Sequence, residues 1–261
     1  MSRLLATLIA LTALGACATG GEVQDGAVAT NHSQRGNSVD RQARARIGRA
    51  DMLTQMAFWA GEYQSFPNDL EAARRFSEAL RLGGRANRAA QIAGEALGRF
   101  ANDGALMITY ALSQIAVKNP QEALRPLALV AQSEPENWRA RSALGAALDQ
   151  LGRFEEARRA YSEALAIAPD NAAILTNLGV SHIMAGEPEQ AEPVLRQASG
   201  LQNAPPETRQ NLAVALALMG RFEEAEQIER IDLPPAQAAA NIAYLRGLLS
   251  DSRRWGDMDR R

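Results

Sequence analysis

A single period constrains this chain more than anything else in it. Small residues stand at Ala89, Ala123, Ala157, Ala191 and Ala225, each 34 positions after the last. Paired positions keep the same interval: Phe76-Ser77, Tyr110-Ala111, Leu144-Gly145, Leu178-Gly179 and Leu212-Ala213, a large residue followed by a small one. Breaks recur at Gly84, Gly152, Gly186 and Gly220, with Lys118 taking the glycine's place in one copy; Pro135 and Pro169 end units, and Ala101 and Asn203 hold the matching places in others. A small residue at each pair lets two antiparallel helices approach closely, glycine ends the first helix by accepting a positive φ, and proline closes the second. One such pair cannot bury its own apolar face, so the units must stack.

The fullest copy, residues 138–171, carries Leu144-Gly145, Leu148, Gly152, Ala157, Tyr161, Ala164 and Pro169. It resembles the tetratricopeptide repeat, a 34-residue helix-turn-helix unit with a Leu-Gly pair, an Ala-x3-aromatic pair and a closing Pro. The resemblance implies an all-α, right-handed superhelical solenoid of about twelve helices over residues 50–250. Residues 69–83 serve as the opening helix of the unit ending near Asn102. Trp59, Tyr63, Ala72, Phe76 and Ala79 also pair that helix with the one before it, so it shares both roles. Residues 236–249 read as a closing helix and 251–261 as a charged tail, with Trp255 folded back as a cap. The composition fits: 46% hydrophobic but only 5% aromatic, the apolar share coming from Ala, Leu, Ile and Val, which suits closely packed helices.

The first 16 residues read as an export signal, with Arg3 ahead of an apolar run from Leu4 to Leu14. That run is too short to cross a hydrocarbon core, which takes about 20 helical residues. Leu14-Gly15-Ala16-Cys17 resembles the bacterial lipobox, which implies cleavage before Cys17 and acylation of its thiol. Two or more acyl chains anchor a protein stably at a membrane. Ala18, where an inner-membrane retention signal would place Asp, favours the outer membrane, with the domain facing the periplasm. Residues 17–49, polar and rich in Gly, Ser, Asn and Arg and containing His32, read as the lipidated cysteine and a flexible linker.

Little in the chain points to catalysis. One Cys and two His (His32 and His182) give no disulfide framework and no Cys- or His-rich metal centre, and 28 basic against 30 acidic residues leave no basic footprint for nucleic acid. Phosphate-loop, dinucleotide, nucleophile-elbow and zinc-helix motifs are missing. The expectation is therefore a non-enzyme with no cofactor, no metal and no small-molecule substrate. His182 stands where other units place Leu80, Leu148 and Leu216, a helix packing face, and reads as structural. Glu155-Glu156 and Glu223-Glu224 open second helices, where acids complement the helix dipole; Arg158-Arg159, one turn on, supply ordinary surface ion pairs.

What remains is surface. First helices of such an array line its concave side, and their inward positions are Ile108, Leu112 and Ile115 in the second unit, Val180 and Ile183 in the fourth and Val214 in the fifth. These residues make an apolar groove for a peptide or helix. Asn177 and Asn211 precede core pairs at equivalent places, and Asn241 repeats the pattern in the closing helix. Such amides either form a ladder for the backbone of a bound segment or bond within the array.

The last third is more particular. Arg209-Gln210-Asn211-Leu212-Ala213, then Leu216-Ala217-Leu218-Met219-Gly220-Arg221, Asp232-Leu233 and Asn241-Ile242-Ala243-Tyr244-Leu245 resemble the C-terminal segment of the TadD family, repeat lipoproteins of tight-adherence (Flp) pilus assembly. That resemblance implies an outer-membrane lipoprotein required for pilus assembly and related secretion, acting on the secretin as a pilotin or scaffold, with secretin, pilus or secretion components as partners. The alternative is a general periplasmic scaffold that organises peptidoglycan enzymes or outer-membrane protein assembly. Lys118 at a helix break, and Glu229 and Asp232 where apolar or small residues are expected, depart from the pattern.

Overall fold

The computed structural model describes residues 41–258, with side chains described as far as residue 250. The signal segment 1–16, Cys17 and its proposed acylation, most of the linker and Trp255's side chain lie outside the described residues. The described residues form thirteen α-helices and no strand: α1 (Arg41–Ile47), α2 (Met52–Ser65), α3 (Leu70–Leu82), α4 (Ala86–Leu97), α5 (Gly104–Ala116), α6 (Gln121–Ser133), α7 (Trp138–Gln150), α8 (Phe154–Ile167), α9 (Ala172–Ala185), α10 (Pro188–Ser199), α11 (Pro206–Leu218), α12 (Phe222–Glu229) and α13 (Pro235–Met258).

Two kinds of helix end set the 34-residue beat. Each first helix from α3 to α9 is capped by a side chain, and the caps keep the same interval: Asp69, Asp103, Asn137 and Asn171 accept from the backbone N–H two or three residues into their helices. Each first-to-second turn is instead closed by a residue of positive φ: Gly84 at 74°, Lys118 at 63°, Gly152 at 72°, Gly186 at 81° and Gly220 at 80°. The next residue's N–H then reaches back to the carbonyl five positions earlier, as Arg153 does to Leu148 at 3.0 Å and Asn119 to Gln114 at 2.9 Å. Lys118 therefore takes the backbone shape of its glycine counterparts, and the unit keeps its geometry without one.

Packing follows the small residues. Ala89, Ala123, Ala157, Ala191 and Ala225 are all at 0% exposure, the points where each second helix meets the array. A Cβ built on Gly179 would lie 2.5 Å from Leu195 Cγ, so the second helix of that unit sits where only a glycine allows it. Each helix packs on its chain neighbours, and first helices also touch the next first helix along: α3 on α5, α5 on α7, α7 on α9, α9 on α11 and α11 on α13. Among the described residues, second helices make no such contacts with one another. The first helices thus form the inner, tighter layer of a superhelical solenoid.

Two boundaries and the helix count differ from the sequence reading. The linker does not run to residue 49, because α1 lies within it. Its one buried residue, Arg44, reaches Glu62, Asp69 and Glu71 at 2.6, 2.7 and 2.9 Å and lies 5.4 Å over the Trp59 ring. The closing helix α13 continues through Met258, past the expected end at 249 and into the expected tail, where Arg and Asp are compatible with helix. With α1 the count is thirteen, not about twelve. The double role of α3 holds: Trp59 and Phe76 share one buried cluster with Ala89 and Ile92, and the Tyr63 and Phe76 rings stand 5.8 Å apart.

Candidate functional site

The inner face of α3, α5 and the start of α7 encloses a cleft of about 790 Å³. Ile108, Thr109 and Leu112 of α5 lie between Arg74, Glu78 and Arg81 of α3 on one side and Trp138 and Arg139 of α7 on the other, with Glu134, Pro135, Glu136 and Asn137 at its edge. The cleft continues toward the N-terminal end, since Arg74, Glu78 and Ala105 also line a recess with Leu70, Glu71 and Arg75.

Its walls are held by local bonds. Arg74 Nε donates to both oxygens of Asp103, at 2.9 and 3.0 Å, while Asp103 Oδ1 accepts from the Leu106 N–H at 2.9 Å. Burial raises the Asp103 pKa, but the Arg74 bond and the α5 amides outweigh it and hold the carboxyl below the usual range. The Arg139 guanidinium stacks 4.5 Å from the Trp138 ring centroid, and Asn137 donates to Glu134 Oε2 at 2.7 Å. The outcome is an apolar strip rimmed by charges of both signs, suited to a polypeptide segment with apolar side chains on one face and mixed polar groups on the other.

The inward residues divide. Ile108 and Leu112 line the cleft, half-buried, and Val180 is half-buried on the same layer in α9. Ile115, Ile183 and Val214 do not line a groove. Ile115 is 8% exposed and packs with Ala143 and Ala147 of the next first helix. Ile183, at 0%, is buried with Leu212 and Leu216, and Val214, at 7%, belongs to the same cluster. Ile115 and Ile183 stand one helical turn beyond the groove positions, at the seam between successive first helices, and their side chains seal that seam.

The amides divide as well. Asn177 Nδ2 reaches Ser142 Oγ on α7 at 3.5 Å, and Asn241 Nδ2 donates to Glu229 Oε2 at 3.0 Å. Two of the three thus bond within the array, while Asn211 is half-buried at the place equivalent to Asn177. His182 is half-buried with Nδ1 2.9 Å from Glu187 Oε2. No group of three or more His, Cys, Asp or Glu able to hold a metal ion occurs among the described residues, and none of the described helices is long and apolar enough to cross a membrane.

Sequence reasoning missed Arg74, Glu78, Trp138 and Arg139. The signal was present: Arg74 and Glu78 stand 34 positions before Ile108 and Leu112, so the register that located those two also places the residues facing them.

Comparison with known proteins agrees with the geometry. A tetratricopeptide repeat model matches residues 114–176, 152–207 and 182–250, together more than half of the chain. Uncharacterized protein y4yS of Sinorhizobium fredii is 39% identical over 88 residues, 34% of this chain and 47% of that one, so the match spans about half the length of that curated relative. Among solved structures, a thermophilic TPR protein of Thermus thermophilus superposes with a TM-score of 0.59 at 23% identity, covering 69% of this chain and 98% of that one. MamA of Desulfovibrio magneticus superposes with a TM-score of 0.54 at 19% identity, covering 62% and 94%. At those identities the two structures speak to the fold alone.

Proposed function

The chain belongs to the tetratricopeptide repeat family, whose arrays serve protein–protein interaction, and on that premise we propose that it is a non-catalytic adaptor lipoprotein of tight-adherence (Flp) pilus assembly. In this reading Cys17 carries the acyl anchor in the outer membrane, the array faces the periplasm, and the concave cleft captures a segment of the secretin or of another pilus or secretion component. One observation carries the binding role: the strip of Ile108 and Leu112, open between the α3 and α7 walls, in a cleft of about 790 Å³. A cleft of that size takes a few side chains of an extended or helical segment. The pilus assignment is supported by the C-terminal run from Arg209 to Leu245 and by the lipobox at Cys17.

The test is a deletion strain complemented with the wild-type gene, with Ile108→Asp/Leu112→Asp, or with Cys17→Ser. The expected result is loss of surface pili on deletion and rescue by wild type alone. The groove variant is expected to stay folded and membrane-bound but to capture less cross-linked secretin, and Cys17→Ser to leave the membrane fraction. Normal piliation in the deletion strain overturns the pilus assignment; undiminished capture by the folded groove variant overturns the cleft.

A further inference from the structure

The N-terminal end of the array carries an edge unlike the matching edges further along. Leu53, in the first turn of α2, is 69% exposed, and Leu82, the last residue of α3, is 56% exposed. The two stand on the same edge. Met56, one turn on from Leu53, has its sulfur beside Gly83, the neighbour of Leu82: a Cβ built on that glycine would lie 2.8 Å from it.

Arginines flank both leucines. Arg46 and Arg49 belong to the α1–α2 corner, which is held by the Gln55 amide donating to the Ala50 carbonyl at 2.7 Å. Arg85 and Arg88 belong to the α3–α4 turn and the start of α4. All four are exposed, and among the described residues none is in an ion pair: Arg46 bonds the Gln42 carbonyl and Arg88 the Gln91 amide. Residues 46–57 and 79–91 together hold five arginines and one acid, Asp51, which is engaged in capping α2. Glu78, one turn before Leu82, faces Arg75 at 3.9 Å. The chain as a whole has a net charge of -2, so composition does not account for this cluster.

Later units neutralise the same positions. Arg153 and Arg221 hold the place of Arg85, and each closes at 2.7 Å on the acid three residues further on, Glu156 and Glu224. In the first unit that acid is replaced by Arg88. The place of Leu53 is held in the other second helices by Asn87, Gln121, Glu155, Glu189 and Glu223.

We propose that this edge is a membrane-docking surface: Leu53 and Leu82 enter the headgroup region of an anionic bilayer, while Arg46, Arg49, Arg85 and Arg88 meet the lipid phosphates. The charge of the edge selects the occupant. Unpaired guanidinium groups complement anionic headgroups, and apolar side chains projecting between them gain by entering the layer beneath. The inference needs neither acylation of Cys17 nor the pilus assignment.

The test uses the full chain with Cys17→Ser and one new cysteine carrying an environment-sensitive fluorophore. The probe is placed at Leu53→Cys or, as a control, at Leu129→Cys, a 43% exposed leucine of α6. Vesicles are equimolar phosphatidylcholine and phosphatidylglycerol, or phosphatidylcholine alone, with brominated acyl chains as quencher. Quenching is read at the probe, so attachment through another part of the chain does not count. Anionic vesicles are expected to quench residue 53 and not residue 129, and phosphatidylcholine alone neither. Arg49→Gln with Arg85→Gln is expected to lower the docked-to-free ratio at residue 53 about 30-fold, about fivefold per arginine, and Leu82→Ser about fivefold. The proposal is overturned by absent quenching at residue 53, by equal quenching at residue 129 or on phosphatidylcholine alone, or by a ratio unmoved by the arginine substitutions. A probe shift that grows with protein concentration in the absence of vesicles assigns the edge to a second copy of the chain and overturns it as well.

Discussion

A Cβ on Gly145 of α7 would stand 2.6 Å from Tyr161 Cε1 of α8, so this crossing tolerates only a hydrogen. Tyr161 cannot retreat easily, being 1% exposed and bonded to Asp149. Gly145→Ala gains about 0.5–1 kcal/mol of helix propensity but incurs about 1–3 kcal/mol of overpacking, for a net loss of about 1 kcal/mol. Gly61, in α2, has no atom within 4 Å of a built Cβ, so Gly61→Ala is expected to gain stability instead. Urea midpoints of the two variants should move in opposite directions; a shared direction contradicts the crossing geometry.

Lys118 holds φ 63° where its four counterparts are glycines. A left-handed conformation costs a residue with a Cβ about 1–2 kcal/mol, of which the larger unfolded-state freedom of glycine cancels part. Lys118→Gly should raise stability by about 0.5–1 kcal/mol, and Lys118→Ile, β-branched at the same φ, should lower it. Thermal or urea denaturation of the pair checks both signs.

Arg44 fastens α1. Burial works against its charge, but the bonds to Asp69, Glu62 and Glu71 outweigh that and raise its pKa above the usual arginine value. Arg44→Met removes the cation and leaves three acids facing one another. Trypsin is then expected to cut at Arg46 and Arg49 in otherwise native protein, with Trp59 emission shifting to longer wavelength. Unchanged cleavage would show that other contacts hold the helix.

Asp69 and Asp103 each combine a helix cap with an ion pair, to Arg44 and Arg74, and both have lowered pKa values. A depressed carboxyl contributes stability that is complete above its unfolded value of about 4 and is lost as pH falls through the folded value. Asp103→Asn keeps the cap but not the charge, so the gap in stability between it and wild type should close progressively below about pH 4. A gap that stays constant down to about pH 2 rules out the ion pair as its source.

Legibility from sequence followed periodicity. The register, the small crossing residues and the glycine turns are one-residue signals repeated every 34 positions, so chance cancels and they survive without coordinates. The cap series Asp69, Asp103, Asn137 and Asn171 carries the same signal and was equally readable. Ile115 and Ile183 were misplaced because a helix turns about 100° per residue: three positions along from a groove residue is still the inner half of the helix, but there it meets the next unit rather than open space. Helix α1 left no pattern at all. Its sequence, RQARARI, has one large apolar residue, Ile47, which packs against the Trp59 cluster, and its buried tie is an arginine meeting acids 18 to 27 positions away.

Among the described residues, every helix contact in the array joins elements adjacent or next-but-one along the chain. No distant segments have to find each other before a stable unit forms, so loop closure weighs little on its folding, and low contact order goes with fast folding. A helical pair can condense as soon as its successor is available to cover it. By the same token, damage at one crossing is shared only with its immediate neighbours, and partial unfolding has a natural stopping place at every seam.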